Sequence, residues 1–191
     1  GSALGTGTVA IADDLASNLW GLAAGPAIQL ESARVTIDDR TPIDIESFGT
    51  ITLSNQGGVD QFEVAPDRLP AGTTYSVNGL LSGAPLTPRD TFRVLGTGFG
   101  DVATISNTTV TLGVPVGYAD VAVVELQTGE GSDAVTVAAG VTTPTSIDGG
   151  SPGDDDSLNL TATDNARVTQ GADATTGVVD NLTGAAEISF A

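Results

Sequence analysis

The sequence predicts an all-β chain arranged as a β-solenoid-like stack of short strands, with a tandem pair of β-sandwiches as the alternative. Three observations predict this. Apolar centres recur near Val110, Val124, Val135, Ile147, Leu158, Val168 and Val178, with Gly, Pro, Asn or Asp in the gaps. The 191 residues include 25 Gly and 9 Pro but only 4% aromatics, so Val, Ile, Leu, Ala and abundant Thr must cover pleated, half-buried surfaces. Helical periodicity is almost absent. Even spacing suits a solenoid, a sandwich or a barrel, and unequal repeat lengths favour the sandwich.

Along the chain, Gly1 and Ser2 read as a cloning scar and stand outside the fold. Residues 3–34 read as an incomplete first repeat. It contains the one helical candidate, "IADDLASNLWGLAAG" (11–25), where Ile11, Leu15, Leu19 and Leu22 fall at helical spacing. Trp20 within it reads as a packing anchor rather than a ligand platform.

A self-match then organises the rest. "PIDIESFGTITLSNQGGVDQFEV" (42–64) meets "PVGYADVAVVELQTGEGSDAVTV" (115–137) without a gap at an offset of 73. Leu53 meets Leu126, Gly58 meets Gly131, and Asp60 meets Asp133. Further on, "YSVNG…RDTFRV" (75–94) matches "TSIDGG…DDSLNL" (145–160), aligning Asp90 with Asp156. Units at 35–107 and 108–180 follow, and 181–191 begins a further repeat.

Composition narrows function. Six Arg, no Lys and 24 acidic residues give a formal charge of −18. Such a surface repels nucleic acid and anionic membranes, attracts divalent cations and stays soluble in salt. Absent Cys, His and Met remove zinc, copper and haem ligation and the thiol and imidazole nucleophile systems. No apolar run of 18 residues is present, so no membrane insertion is expected.

The glycine-rich acidic turns carry the candidate chemistry. "TGEGSDAVT" (128–136) fits the calcium-binding nonapeptide G-G-x-G-x-D-x-U-x except at Thr128. Gly129 and Gly131 would let carbonyls and Asp133 converge on a hard cation, with Asp60 in the weaker copy "NQGGVDQFE". "GGSPGDDDSL" (149–158) adds Asp154, Asp155 and Asp156. Calcium takes six to eight oxygens, so one Asp per turn is too few. No cofactor is required, and calcium is the one candidate ion. The competing reading is a tight turn whose Asp caps backbone N–H groups.

These segments resemble repeats of very large bacterial surface proteins, which run strand, GxGxD, strand, DGG, DxLxL and are akin to haemolysin-type calcium-binding arrays. The resemblance covers most of 35–165. "LPAGTTYSVNGLLSGAP" (69–85) also resembles a signature of immunoglobulin-like surface domains, which makes immunoglobulin-like β-sandwiches the specific form of the alternative fold.

Catalysis fares worse. Asp60 and Asp133 could form a carboxylate pair only in a shared cleft, and equivalent repeat positions lie a unit apart. "GTGFGD" (96–101) lacks the spacing of a dinucleotide fingerprint. Sequons at Asn107, Asn159 and Asn181 are candidate glycosylation sites. The chain therefore reads as a non-enzymatic structural repeat segment of an exported cell-surface, surface-layer or filament protein. Its expected partners are copies of itself or neighbouring repeats, associating end to end. The alternative is an adhesive module for glycan or protein, stiffened by calcium.

Overall fold

A computed structural model describes residues 7–12, 17–24, 32–46, 48–82, 87–150, 155–161, 166–170, 177–181 and 188–190. The strands are β1 (Thr8–Ala12), β2 (Leu19–Ala24), β3 (Ser32–Ile37), β4 (Ile43–Glu46), β5 (Thr50–Ser54), β6 (Gln61–Val64) and β7 (Thr74–Asn78). A two-residue pair, β8 (Leu81–Ser82) and β9 (Thr87–Pro88), precedes β10 (Asp90–Thr97). Then come β11 (Val102–Ile105), β12 (Thr109–Leu112), β13 (Val114–Ala119), β14 (Val121–Gly129), β15 (Ala134–Val137) and β16 (Thr145–Asp148). The last four are β17 (Ser157–Leu160), β18 (Ala166–Gln170), β19 (Gly177–Asn181) and β20 (Ile188–Phe190). The protein is all-β, as its turn and strand pattern predicts.

Two large sheets hold nearly every strand. The eight-stranded sheet runs β1-β5-β7-β13-β12-β11-β15-β17, and the ten-stranded sheet β18-β19-β20-β16-β14-β10-β6-β2-β3-β4. Both are mixed, because parallel runs are interrupted by antiparallel meanders such as β11-β12-β13. The finer expectation, a regular solenoid, is not shown by sheets of this kind. Period-two alternation sends Ile51 and Leu53 of β5, Phe62 and Val64 of β6, and Phe92 and Val94 of β10 inward. These join one buried apolar cluster extending from Trp20 to Ile147 and drawn from both sheets. Phe92 of one sheet and Tyr118 of the other have ring centroids 5.6 Å apart, which ties the two layers together.

The expected helix at 11–25 is replaced by strand. β1 ends at Ala12 and β2 occupies Leu19–Ala24, while Leu15 falls outside the described residues. The reason is tertiary. β2 pairs parallel with β6 and antiparallel with β3, which buries Trp20 and Leu22 and leaves Leu19 exposed. An alternating in-out pattern over Leu19–Leu22 outweighs a loose helical spacing. Trp20 stacks on Phe62 at 5.7 Å and is fully buried, as a packing anchor would be.

The sequence self-match acquires a structural meaning. The offset of 73 carries β6 onto β15, and Ile51 and Leu53 of β5 onto Val124 and Leu126 of β14. Pairing registers repeat with it. Phe92 and Val94 face Phe62 and Val64, just as Leu158 and Leu160 face Val135 and Val137. Val9 and Ile11 face Ile51 and Leu53, just as Phe92 and Val94 face Val124 and Leu126. Yet β6 lies in the ten-stranded sheet and β15 in the eight-stranded one.

Topology accounts for the exchange. Each unit is a three-strand meander followed by four strands that alternate between sheets: β2-β3-β4 then β5, β6, β7, β10, and β11-β12-β13 then β14, β15, β16, β17. From β4 to β11 the chain changes sheet five times, an odd number, so the second unit starts in the opposite sheet. A third meander, β18-β19-β20, returns to the ten-stranded sheet.

Candidate functional site: the aspartate turns

Five aspartates sit at strand entrances. Asp60, Asp101, Asp133 and Asp156 immediately precede β6, β11, β15 and β17, and Asp90 opens β10. The N–H just ahead of a strand lies beyond the sheet's own hydrogen bonds and needs an acceptor. These side chains supply it across strands rather than within the turn.

In turns passing from the eight-stranded to the ten-stranded sheet, Asn18 N–H donates to Asp60 Oδ1, and Asp60 N–H donates to Asp90 Oδ1 at 2.8 Å. Asp90 Oδ2 accepts Leu80 N–H and Asn55 Nδ2, each at 2.8 Å. Three donors thus surround a completely buried carboxylate. Such charge-assisted bonds offset the desolvation that burial imposes.

Turns passing the other way repeat the device. Asp101 N–H donates to Asp133 Oδ1 at 2.7 Å, and Asp133 N–H to Asp156 Oδ1 at 2.9 Å. Asp101 Oδ2 in turn accepts Thr97 N–H at 2.7 Å. The main chain runs alongside: Thr91 N–H donates to Asp60 O, Ala134 N–H to Asp101 O, and Ser157 N–H to Asp133 O, all at 2.8 Å. Each rung therefore makes one side-chain and one backbone bond to its neighbour. The first ladder caps strand entrances in the ten-stranded sheet, and the second caps those in the eight-stranded sheet.

The glycines of the motif have a separate cause. Gly129 and Gly131 have φ of 101° and 111°, backbone that L side chains rarely adopt. A Cβ on Gly129 would lie 2.1 Å from Thr97 O, and one on Gly131 2.4 Å from Gly100 N. Stacked turns touch backbone to backbone here, which any side chain would prevent.

Among the sequence-derived candidates, Asp60 and Asp133 are not brought together. They belong to different ladders, so no shared carboxylate site forms between them. Asp133 and Asp156 are joined by the Asp133 N–H, which donates to Asp156 Oδ1. Asp133 Oδ2 is buried without a hydrogen bond. Among the described residues, no group of three or more carboxylates is disposed to hold a metal. Asp154 and the Asn181 side chain lie outside the described residues. Asn107 is exposed, but its Oδ1 accepts the Thr142 N–H at 3.0 Å and Oγ1 at 2.7 Å. Asn159 is exposed on β17.

Sequence reasoning passed over Asp90, Asn55 and Asp101 as functional positions. A signal exists for Asp101: "GFGD" (98–101) is a compressed form of "GEGSD" (129–133).

On the ten-stranded sheet, Arg93 lies in register between Glu63 and Glu125. Its Nη2 is 2.7 Å from Glu125 Oε2 and its Nη1 is 3.7 Å from Glu63 Oε2. One cation thus serves a carboxylate on each neighbouring strand. Comparison with protein-family models, curated proteins and solved structures finds no match for this chain.

Proposed function

We propose that this chain is a non-enzymatic structural repeat segment of an exported cell-surface, surface-layer or filament protein, and that it associates end to end. The observation that carries this reading is the repetition of pairing registers. β1 against β5 and β10 against β14 are one pairing used twice, and β6 against β10 and β15 against β17 are another. A plan that adds units by repeating edge contacts suits extension rather than enclosure of a substrate. The acidic ladders fit the same role, since their carboxylate oxygens are spent largely on neighbouring N–H groups. The surface charge of −18 supports a setting where salt screens self-repulsion.

Light scattering of the chain across protein and salt concentration tests the reading. The screening length falls from about 10 Å at 0.1 M salt to about 3 Å at 1 M. Particle mass is expected to rise with both variables. A strictly monomeric particle throughout would overturn end-to-end association.

A further inference from the structure

β10 and β17 are the same strand of successive units. Phe92 matches Leu158 and Val94 matches Leu160, both in sequence and in register against β6 and β15. Their surroundings differ on the other side. β10 is covered there by β14, and Phe92 and Val94 are completely buried. β17 ends the eight-stranded sheet, with no strand beyond it among the described residues, and Leu158 and Leu160 are only partly buried.

The backbone of β17 is set up for a further partner. Ser157 N–H donates to Asp133 O at 2.8 Å and Thr161 N–H to Val137 O at 3.0 Å. In a parallel ladder, alternate residues bond to opposite neighbours, so the N–H and C=O of Leu158 and Leu160 point away from β15. They face the side that β14 fills beside β10.

We infer that this edge of β17 is a strand-addition site for a further unit of the same repeat plan, entering parallel with the counterpart of β5 and β14. Two features define the recognised segment. Its apolar residues stand at alternate positions, matching Ile51 and Leu53 or Val124 and Leu126, and they meet Leu158 and Leu160 as those residues meet Val9/Ile11 and Phe92/Val94. Main-chain bonds supply affinity, while the two apolar positions fix register. A simple stack of two copies does not reproduce this pairing. It would set β17 against β1, which holds the same place in the plan as β17 itself.

This inference rests on the structural-repeat reading, and a peptide separates the two. The probe is a fluorescently labelled, capped peptide of residues 121–129, VAVVELQTG, titrated with the full chain and followed by anisotropy. Saturable binding is expected. A peptide carrying Val124→Asp and Leu126→Asp should bind at least about tenfold more weakly, because the apolar contacts set the register. In the protein, Leu160→Pro removes an N–H on the open side while Ser157 and Thr161 keep their bonds to β15, and it should abolish binding. Leu160→Asp, which retains that N–H, checks the result independently of proline strain.

Absence of binding to a chain whose melting curve is intact would overturn the inference, as would equal binding by the aspartate peptide. If the chain self-associates in salt but ignores the peptide, the edge assignment falls and the repeat reading stands. If it binds the peptide yet stays monomeric, self-association falls and the edge assignment stands.

Discussion

Asp90 and Asp133 each accept the N–H of the preceding aspartate on their own ladder, yet their second oxygens live differently. Asp90 Oδ2 accepts two donors, from Leu80 and Asn55, whereas Asp133 Oδ2 is buried with none. Both Oδ1 atoms accept the preceding aspartate's N–H. The shared bond is therefore the recurring element of the plan, and the second oxygen is where these two carboxylates differ. Burial alone does not rank such carboxylates, since both are nearly inaccessible. Donor count does.

The largest expected effect breaks this contrast. Asp90→Asn puts an amide donor against either Asp60 N–H or the Leu80 and Asn55 donors, and should cost about 2–4 kcal/mol. Asp133→Asn can keep its carbonyl on the Asp101 N–H and turn the amide toward the bare side, so it should change stability by less than about 1 kcal/mol. Urea unfolding of both variants measures the difference. Equal costs would show that charge, rather than donor satisfaction, governs the ladders.

Next in size is the glycine scaffold. Gly131→Ala forces a side chain onto φ 111° and against Gly100 N, with an expected cost of about 2–4 kcal/mol. Gly140 also has positive φ, 82°, but a Cβ there meets nothing within 4 Å. Its alanine variant should lose only about 1 kcal/mol from backbone conformation. Melting temperatures of the pair separate turn stacking from backbone strain. A Gly140→Ala loss as large as that at Gly131 would leave no role for stacking.

Much of this was legible in the residues. Alternating apolar positions such as Ile51/Leu53 and Val124/Leu126 gave both strands and repeat register, because period two is a local property of the chain. The exchange of sheets between units was not legible, since it depends on counting crossings that only topology reveals. Leu19 and Leu22 fit a helical spacing as well as a strand, and pairing with β6 and β3 decided between them. The aspartates signalled importance through their spacing with glycine. Their partners, 23 to 42 residues away, lay beyond any motif.

A smaller effect contrasts buried carboxylates with an exposed one. On β4, Asp44 accepts Arg34 Nε at 2.7 Å and Nη2 at 2.9 Å. That hydrogen bond holds the Asp44 carboxyl below its usual range, and solvent screens the exposed pair. A lowered folded-state value means that its contribution is present above about pH 3.9 and fades as pH falls through the folded value. Asp44→Asn should therefore melt slightly below the parent at neutral pH, with the gap closing in acid and in high salt. A gap that persists at low pH would point to packing on β4 instead.

The smallest expected effect concerns calcium, and it asks whether the bare oxygen of Asp133 can serve as an ion ligand or marks only an imperfect turn. A site with millimolar affinity would, at ten times its dissociation constant, stabilise the folded chain by about 1.4 kcal/mol through mass action. That is readily seen in a melting curve. Asp133 and Asp156 each commit one oxygen to an N–H, and a calcium shell needs six to eight oxygens. We therefore expect calcium to raise the melting temperature no more than magnesium at equal ionic strength. A general rise with either ion is still expected, because divalent cations screen a charge of −18. The informative quantity is the calcium-minus-magnesium difference in the parent and in Asp133→Ala. A difference present in the parent and lost in the variant would make the second ladder an ion site and separate it functionally from the first. No difference in either would leave both ladders as one device, differing only in how fully each carboxylate is used.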